Sequence, residues 1–438
     1  MEFSKSNTLR AKANKLIPGG VHTYSKGDDS FPLNAPFAIK KGYGSRIEDV
    51  DGNEFIDWGM GLTSVLLGHA YGPVVDTVRD ELSNGCNFIR PSHIEAELAE
   101  IMVEQIPSAD MVKFGKNGSN ATTAAVKLAR AYTNKEIVLR CESQPFFSID
   151  DWFIGSTVMD SGVPKCMKNL TKKFKYNDIA DLSTKIDEFY GRVACVIMEP
   201  ASIEEPKDGY LQEVKDICVK NGIILIFDEV VSGFRFHPKG AQYLYGVTPD
   251  LSCFGKSMGN GFSISALVGN RELMSLGGLE HKEKRVFLLS TTYGGETHHL
   301  RAAQKTIEIL NNNNYEVTKH IWRVGNIIKN SYNDISKELN LNKFTYVDGI
   351  DCRPYLVFLD KDAKESKALR TLFLQEMVKN GIMLQSFSPS YSHNQLEISQ
   401  TIKGFERSLK ILKFAIEENK INELINGHNV KPVFRKYN

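Results

Sequence analysis

The sequence predicts an α/β protein. A large, mostly parallel sheet is covered by helices on both faces, and a smaller α/β domain is built from the C-terminal third and the N-terminal segment. Three observations carry this. Apolar runs such as Ile223-Ile224-Leu225-Ile226-Phe227 have no polar face, which marks strands buried on both sides. These runs alternate with amphipathic segments of helical period, the pattern of a sheet wound with crossover helices. After about Tyr315 the composition shifts toward Lys, Asn and Glu, while Phe405, Leu409, Leu412 and Ile416 recur at three- and four-residue spacing, giving a helix with one apolar face.

Residues 1–63 are rich in Gly and polar side chains and form the N-terminal segment of the small domain. Within them "SRIEDVDGNEFIDWG" predicts a hairpin, Ile47–Val50 and Glu54–Trp58 about an Asp51-Gly52 turn. Residues 64–314 form the large domain. Its strands are expected at Ile137–Cys141, Val193–Pro200, Gly222–Val230, Leu251–Gly255 and Ala266–Gly269, and its helices at Ser119–Tyr132, Leu211–Asn221 and Thr297–Leu310. Residues 315–438 complete the small domain, with a helix at Phe405–Glu418.

Composition narrows the function classes. The chain has 438 residues, a formal net charge of +1 and 42% apolar residues, enough for a large core without disulfide staples. Near-neutral charge argues against a nucleic-acid footprint. No segment approaches the roughly 20 apolar residues of a spanning helix, and "MEFSKSNTLRAKANKLIPGG" lacks the apolar stretch of a signal peptide. The seven cysteines contain no C-x-x-C pair; Cys195 and Cys253 lie in apolar runs, as reduced thiols do. A cytoplasmic protein is expected. No H-E-x-x-H motif or Cys/His cluster suggests a metal, and the adjacent His298 and His299 point in different directions on a helix, as exposed or interface residues.

In open α/β sheets ligands bind outside the carboxyl ends of the strands, so the residues just after each strand are the informative ones. Asp228 follows the most apolar run, Lys256 follows "LSCFG", and Gly118-Ser119-Asn120 opens a helix in "KFGKNGSNATTAAVKLARAYT". Glu199-Pro200 ends "VACVIME", and Phe146-Phe147 follow the strand ending near Cys141. Each has a plainer role when taken alone: a cap, a solvated lysine, a core aromatic. Together they meet the needs of pyridoxal 5'-phosphate (PLP), which takes a lysine for the Schiff base, a carboxylate at its ring nitrogen and a phosphate cradle. A desolvated lysine has a lowered pKa and becomes nucleophilic, and helix N-terminal N–H groups suit a phosphate dianion. Glu229, on the opposite face of an extended chain from Asp228, is expected to pair with a neighbour such as Arg235.

"LIFDEVVSGFR", followed by a lysine 28 residues after the aspartate in "FGKSMGNG", resembles the class III PLP-dependent aminotransferases, and within them the group of glutamate-1-semialdehyde 2,1-aminomutase-like proteins. The resemblance runs from "PGGVHTYSKG" to about Leu310; the C-terminal third matches in general character only. It implies the fold-type I architecture and a homodimer with shared active sites. It further implies Lys256 as the Schiff-base lysine that moves the substrate proton, Asp228 at the ring nitrogen, Val230 and Phe146 on the two ring faces, and Gly118, Ser119 and Asn120 in the phosphate loop. Thr292, in "STTYGGETHH", corresponds to a threonine that reaches the neighbouring subunit's phosphate, and Glu199 to a glutamate near the cofactor.

Departures cluster on the substrate side. Lys26 stands where an arginine holds the aminomutase substrate's carboxylate, and a lysine lacks the bidentate fork. Phe146-Phe147-Ser148 replaces a Tyr-His-Gly stretch, Asn120 replaces a glutamate, and Gly294-Gly295-Glu296-Thr297 replaces Ser-Gly-Asn-Pro. The expected activity is therefore amino transfer to another aldehyde or ketone, a class that includes sugar-derived and phosphorylated carbonyls, with conversion of glutamate 1-semialdehyde to 5-aminolevulinate as the alternative. Lys26, Glu199 and His393, the last in the loop "SYSHNQLEIS", are the substrate-side candidates. A nicotinamide-dependent oxidoreductase is disfavoured because "GKNGSN" lacks the third glycine of G-x-G-x-x-G. A non-catalytic relative is disfavoured because Lys256 and Asp228 are both retained.

Overall fold

The computed structural model describes residues 1–437 and divides into two compact units. One joins Met1–Tyr71 to Lys319–Arg435, and the other spans Gly72–Thr318. These breaks fall slightly later than the 63/64 and 314/315 boundaries drawn from the sequence.

The second unit is built on a seven-stranded sheet. Its strands are β1 (Met111–Gly115), β2 (Ile137–Cys141), β3 (Thr171–Phe174), β4 (Val193–Met198), β5 (Ile224–Asp228), β6 (Leu251–Phe254) and β7 (Ser265–Gly269). Their order across the sheet is β1-β7-β6-β5-β4-β2-β3. The run from β6 to β3 is parallel, and β7 is antiparallel to both its neighbours. The apolar runs at β2, β4, β5, β6 and β7 are buried at every position, as expected for strands covered on both faces. β1 and β3 were not expected from the sequence: they are the edges of the sheet, and each carries an exposed lysine, Lys113 and Lys173.

Three helices matter for the site: α1 (Gly118–Thr133), α2 (Tyr210–Asn221) and α3 (Thr297–Asn311). Helix α1 starts where it does because Asn117 and Asn120 cap each other, side chain to backbone, in a reciprocal box. Helix α2 ends at Gly222, whose φ of +57° is the left-handed stop that glycine favours. Ile137, Leu139, Val196, Met198, Leu225 and Phe227 pack with Leu211, Val214 and Cys218 of α2 in one core. Burying each of these larger side chains contributes roughly 1.5–3 kcal/mol.

In the first unit the predicted hairpin pairs Arg46–Asp49 with Glu54–Asp57, with Arg46 opposite Ile56, and Gly52 supplies the turn's positive φ of +95°. Ile382–Met383 adds to the second strand in parallel. The helix expected at Phe405–Glu418 is the latter half of a longer one, Gln395–Glu417, capped at Asn394. Its Phe405, Leu409 and Leu412 join Trp58, Phe373 and Phe387 in a core. Among the described residues, no helix is long and apolar enough to cross a membrane.

Candidate active site

Because β4, β5 and β6 are parallel and adjacent, the residues following them gather at one edge. Met198 pairs with Phe227, and Asp228 with Cys253. Glu199 and Asp228 are thus the next residues on neighbouring strands, on one face of the sheet, and each is only 4% exposed. Strand β7 runs the other way, so its first residue, Ser265, pairs with Gly115 at the end of β1. That brings the start of α1 to the same edge.

Asp228 receives a hydrogen bond from the Val230 N–H at 3.0 Å. Burial, and then the neighbouring charge of Glu199, push its carboxyl up to about 7, against the Val230 bond and the charge of Lys256. A buried carboxylate in this condition is stabilised by a cation beside it. Lys256 opens a short 3-10 turn, Lys256–Gly259, at a φ of +43°. A non-glycine residue held in the left-handed region is strained, and such strain persists where surrounding structure enforces it.

The start of α1 lies close against Val230. A Cβ on Gly118 would meet the Val230 Cγ1 at 2.9 Å, and one on Gly255 would meet the same methyl at 3.4 Å. The two glycines thus let the backbone approach the Val230 side chain closely. The N–H groups of Gly118 and Ser119, in the first turn of α1, have no intrahelical acceptor. Ser119 is otherwise engaged, its Oγ accepting from the Ile149 N–H at 3.1 Å. Asn120 is spent on capping: its Oδ1 accepts from the Lys116 N–H at 3.0 Å, and its own N–H donates to the Asn117 Oδ1 at 3.1 Å. A buried carboxylate on which the charge of Lys256 acts, and a helix N-terminus with free N–H groups, fit PLP.

Phe146 is 47% exposed and meets Phe153 edge-on at 5.7 Å, whereas Phe147 is buried. Thr292 is exposed, its carbonyl accepting from the Asn87 side chain at 3.1 Å. Lys26, in the first unit, ends a short turn at Tyr24–Lys26 and is exposed. His393 is not presented on a polar loop as expected. It is fully buried, stacked on Trp58 with centroids 4.0 Å apart. Its Nδ1 accepts from the Ser390 N–H at 3.1 Å. Glu229 is held by donors other than the expected arginine: the Ala241 N–H, the Gln242 N–H at 3.2 Å, the Gln242 Nε2 at 2.9 Å and the Ser232 Oγ at 3.2 Å.

Two features escaped the sequence. Gln144, 2% exposed, grips the main chain at Glu199 with both ends of its amide: Nε2 donates to the Glu199 carbonyl and Oε1 accepts from the Glu199 N–H, each at 2.8 Å. Lys116, just before the helix cap, bonds to Glu296 and donates to the His299 Nδ1 at 2.9 Å. His299 is therefore an internal acceptor rather than an exposed residue, and burial pushes it down to about 4, keeping it neutral. Neither feature belongs to a short motif, since the partners are 55 and about 180 residues apart.

Residues 29–394 match the model of the family described as aminotransferase class-III. The chain belongs to this family and is a PLP-dependent enzyme of fold-type I. It is 30% identical to a glutamate-1-semialdehyde 2,1-aminomutase of Methanosphaera stadtmanae over 431 residues, covering 93% of this chain and 99% of the relative. It is 31% identical to a 3-aminobutyryl-CoA aminotransferase of Cloacimonas acidaminovorans, covering 94% and 98%. Among solved structures it superposes on the FumI protein of a Sphingopyxis species, solved with PLP, with a TM-score of 0.86, 23% identity and coverage of 94% and 98%.

Proposed function

We propose that the protein transfers an amino group to an aldehyde or ketone other than glutamate 1-semialdehyde, with Asp228 and Lys256 as its catalytic residues. The observation that carries the site assignment is the pairing of a buried, cation-seeking Asp228 with Lys256, whose charge acts on it. Bound PLP supplies an electron sink for the pair left on the substrate Cα when its proton departs. Asp228 would hold the proton on the ring nitrogen, and Val230 and Phe146 would pack against the ring. The Gly118 and Ser119 N–H groups bind the phosphate at the positive end of α1, with Asn120 fixing the loop through its cap. Lys256 Nζ anchors the cofactor covalently and moves the proton at the substrate Cα.

The reading includes a homodimer in which Thr292 completes the neighbour's phosphate site. Its exposed loop supports this, as do the exposed apolar side chains Phe88, Ile89, Leu279 and Phe287 in the same unit. A cytosolic location accords with seven free cysteines, five of them buried as small hydrophobes.

On the substrate side, Lys26 in place of an arginine supports an acceptor not gripped by a bidentate carboxylate clamp. The similarity to a CoA-ester aminotransferase agrees with a family pocket that takes varied carbonyls. The second reading, aminomutase activity, is favoured by the name of the Methanosphaera relative, matched along its whole length. Turnover assays with glutamate 1-semialdehyde separate the two: efficient production of 5-aminolevulinate overturns the first reading. The site is tested with borohydride. Lys256→Ala should lose trapped cofactor and at least about 10³-fold in turnover, while trapping at another lysine overturns the assignment.

A further inference from the structure

Three buried groups stand in a row at the sheet edge: the Gln144 amide, Glu199 and Asp228. The Gln144 side chain leaves the loop after β2 and closes two 2.8 Å hydrogen bonds on the Glu199 main chain. This extends the ladder by one two-point contact just where β4 has ended at Met198. A side-chain amide satisfying one residue's N–H and C=O together fixes that residue's φ and ψ. What it fixes here is the direction of the Glu199 Cα–Cβ bond, and with it the carboxylate beside Asp228. Both carboxylates are nearly excluded from water, and the charge of Glu199 is among the causes that raise the Asp228 carboxyl. The other charged or titratable groups acting on Asp228 are Lys256 after β6, Glu229 on its own strand and, through the strand pairing, the Cys253 thiol.

We propose that Gln144 is a positioning residue: by holding the Glu199 main chain it keeps a second carboxylate beside Asp228, so that the bound ring faces two negative charges rather than one. The second charge strengthens the protonated form of the cofactor and makes its protonation less sensitive to alkaline pH. Gln144 acts through Glu199, whose main chain it holds.

The inference rests on the assignment of Asp228 and Lys256 to the cofactor, and the experiment keeps the two apart. Wild-type, Glu199→Gln, Gln144→Ala and the double variant are purified with PLP. The visible absorption of bound cofactor is then titrated against pH, and PLP affinity is measured by equilibrium dialysis. Glu199→Gln should move the absorption midpoint to lower pH by about one unit, the size expected for removing a charge several ångströms away in a partly shielded site. Gln144→Ala should move it the same way by a smaller amount. The double variant should match Glu199→Gln alone, because a residue acting through another adds nothing once that partner is gone. Should Gln144→Ala fold poorly, the isosteric Gln144→Met supplies the same readout. An unmoved midpoint in the Gln144 variant, or a shift that adds to that of Glu199→Gln, overturns the inference. If borohydride fails to trap cofactor at Lys256 in the wild type, it is the site assignment that falls.

Discussion

Asp228 and Glu229 are adjacent, both buried, and both pushed up by burial, yet the structure treats them differently. Around Glu229 the chain closes a complete shell: the Ala241 and Gln242 N–H groups, the Gln242 amide and the Ser232 hydroxyl. Gly240 allows it, since a Cβ there would meet the Glu229 Oε1 at 2.8 Å. Around Asp228 the structure sets a backbone N–H, the charge of Lys256 and a second carboxylate. A carboxylate wrapped in neutral donors is a structural tie. One set beside another carboxylate is where a bound positive group would be stabilised. Two identical-looking neighbours in sequence thus divide into a packing device and a working group by what surrounds them.

The sharpest way to break this distinction is to neutralise each carboxylate in turn. Asp228→Asn keeps the shape and removes the charge. Losing a charge-assisted contact worth about 1.5–3 kcal/mol should weaken PLP binding roughly 10- to 100-fold. Turnover should drop further, because the ring nitrogen no longer keeps its proton; the melting temperature of the cofactor-free protein should hold or rise. Glu229→Gln should do the reverse. Its amide nitrogen would replace one oxygen and face either the Ala241 N–H or the two Gln242 donors, leaving buried groups unsatisfied at about 1–3 kcal/mol and lowering the melting temperature by several degrees, with kcat and PLP affinity of the folded protein unchanged. Cofactor dialysis and thermal unfolding on both variants check this. Equal effects of the two substitutions on PLP affinity would erase the distinction.

What could be read beforehand follows the same line. Strands β2, β4, β5, β6 and β7 were visible because burial on both faces leaves an uninterrupted apolar run. Edge strands β1 and β3 were hidden by their lysines and half-exposed positions, the composition that also guards sheet edges against pairing. The place of Asp228 at one end of the sheet was legible because it ends an apolar strand-like run, at the end where such a sheet binds ligands. Glu229 was correctly separated from Asp228 by strand alternation, but its partners lie 12 and 13 residues on, beyond a turn, and spacing cannot see them. His393 looked like a polar loop residue because "SYSHN" has loop composition; its burial depends on Trp58, far away in the chain. Gln144 carried no signal, as an amide in a loop declares its partner only once the loop is folded.

The same comparison carries a pH dependence confined to Asp228. In the folded, cofactor-free protein its carboxyl is raised to about 7, against about 3.9 in an unfolded chain. The folded state therefore binds the proton more tightly. Stability from this group is fully present below the unfolded value and is lost as pH rises through the folded one. Heating the cofactor-free wild type and Asp228→Asn side by side between pH 4 and pH 8 isolates it, because all other titrating groups are shared. The wild type's melting temperature relative to the variant should fall across that window by several degrees. Adding PLP should flatten the difference, since a cation beside Asp228 restores the ionised form. A wild type that gains on the variant as pH rises would mean that Asp228 already has its counter-charge within the chain, and the contrast with Glu229 would then disappear.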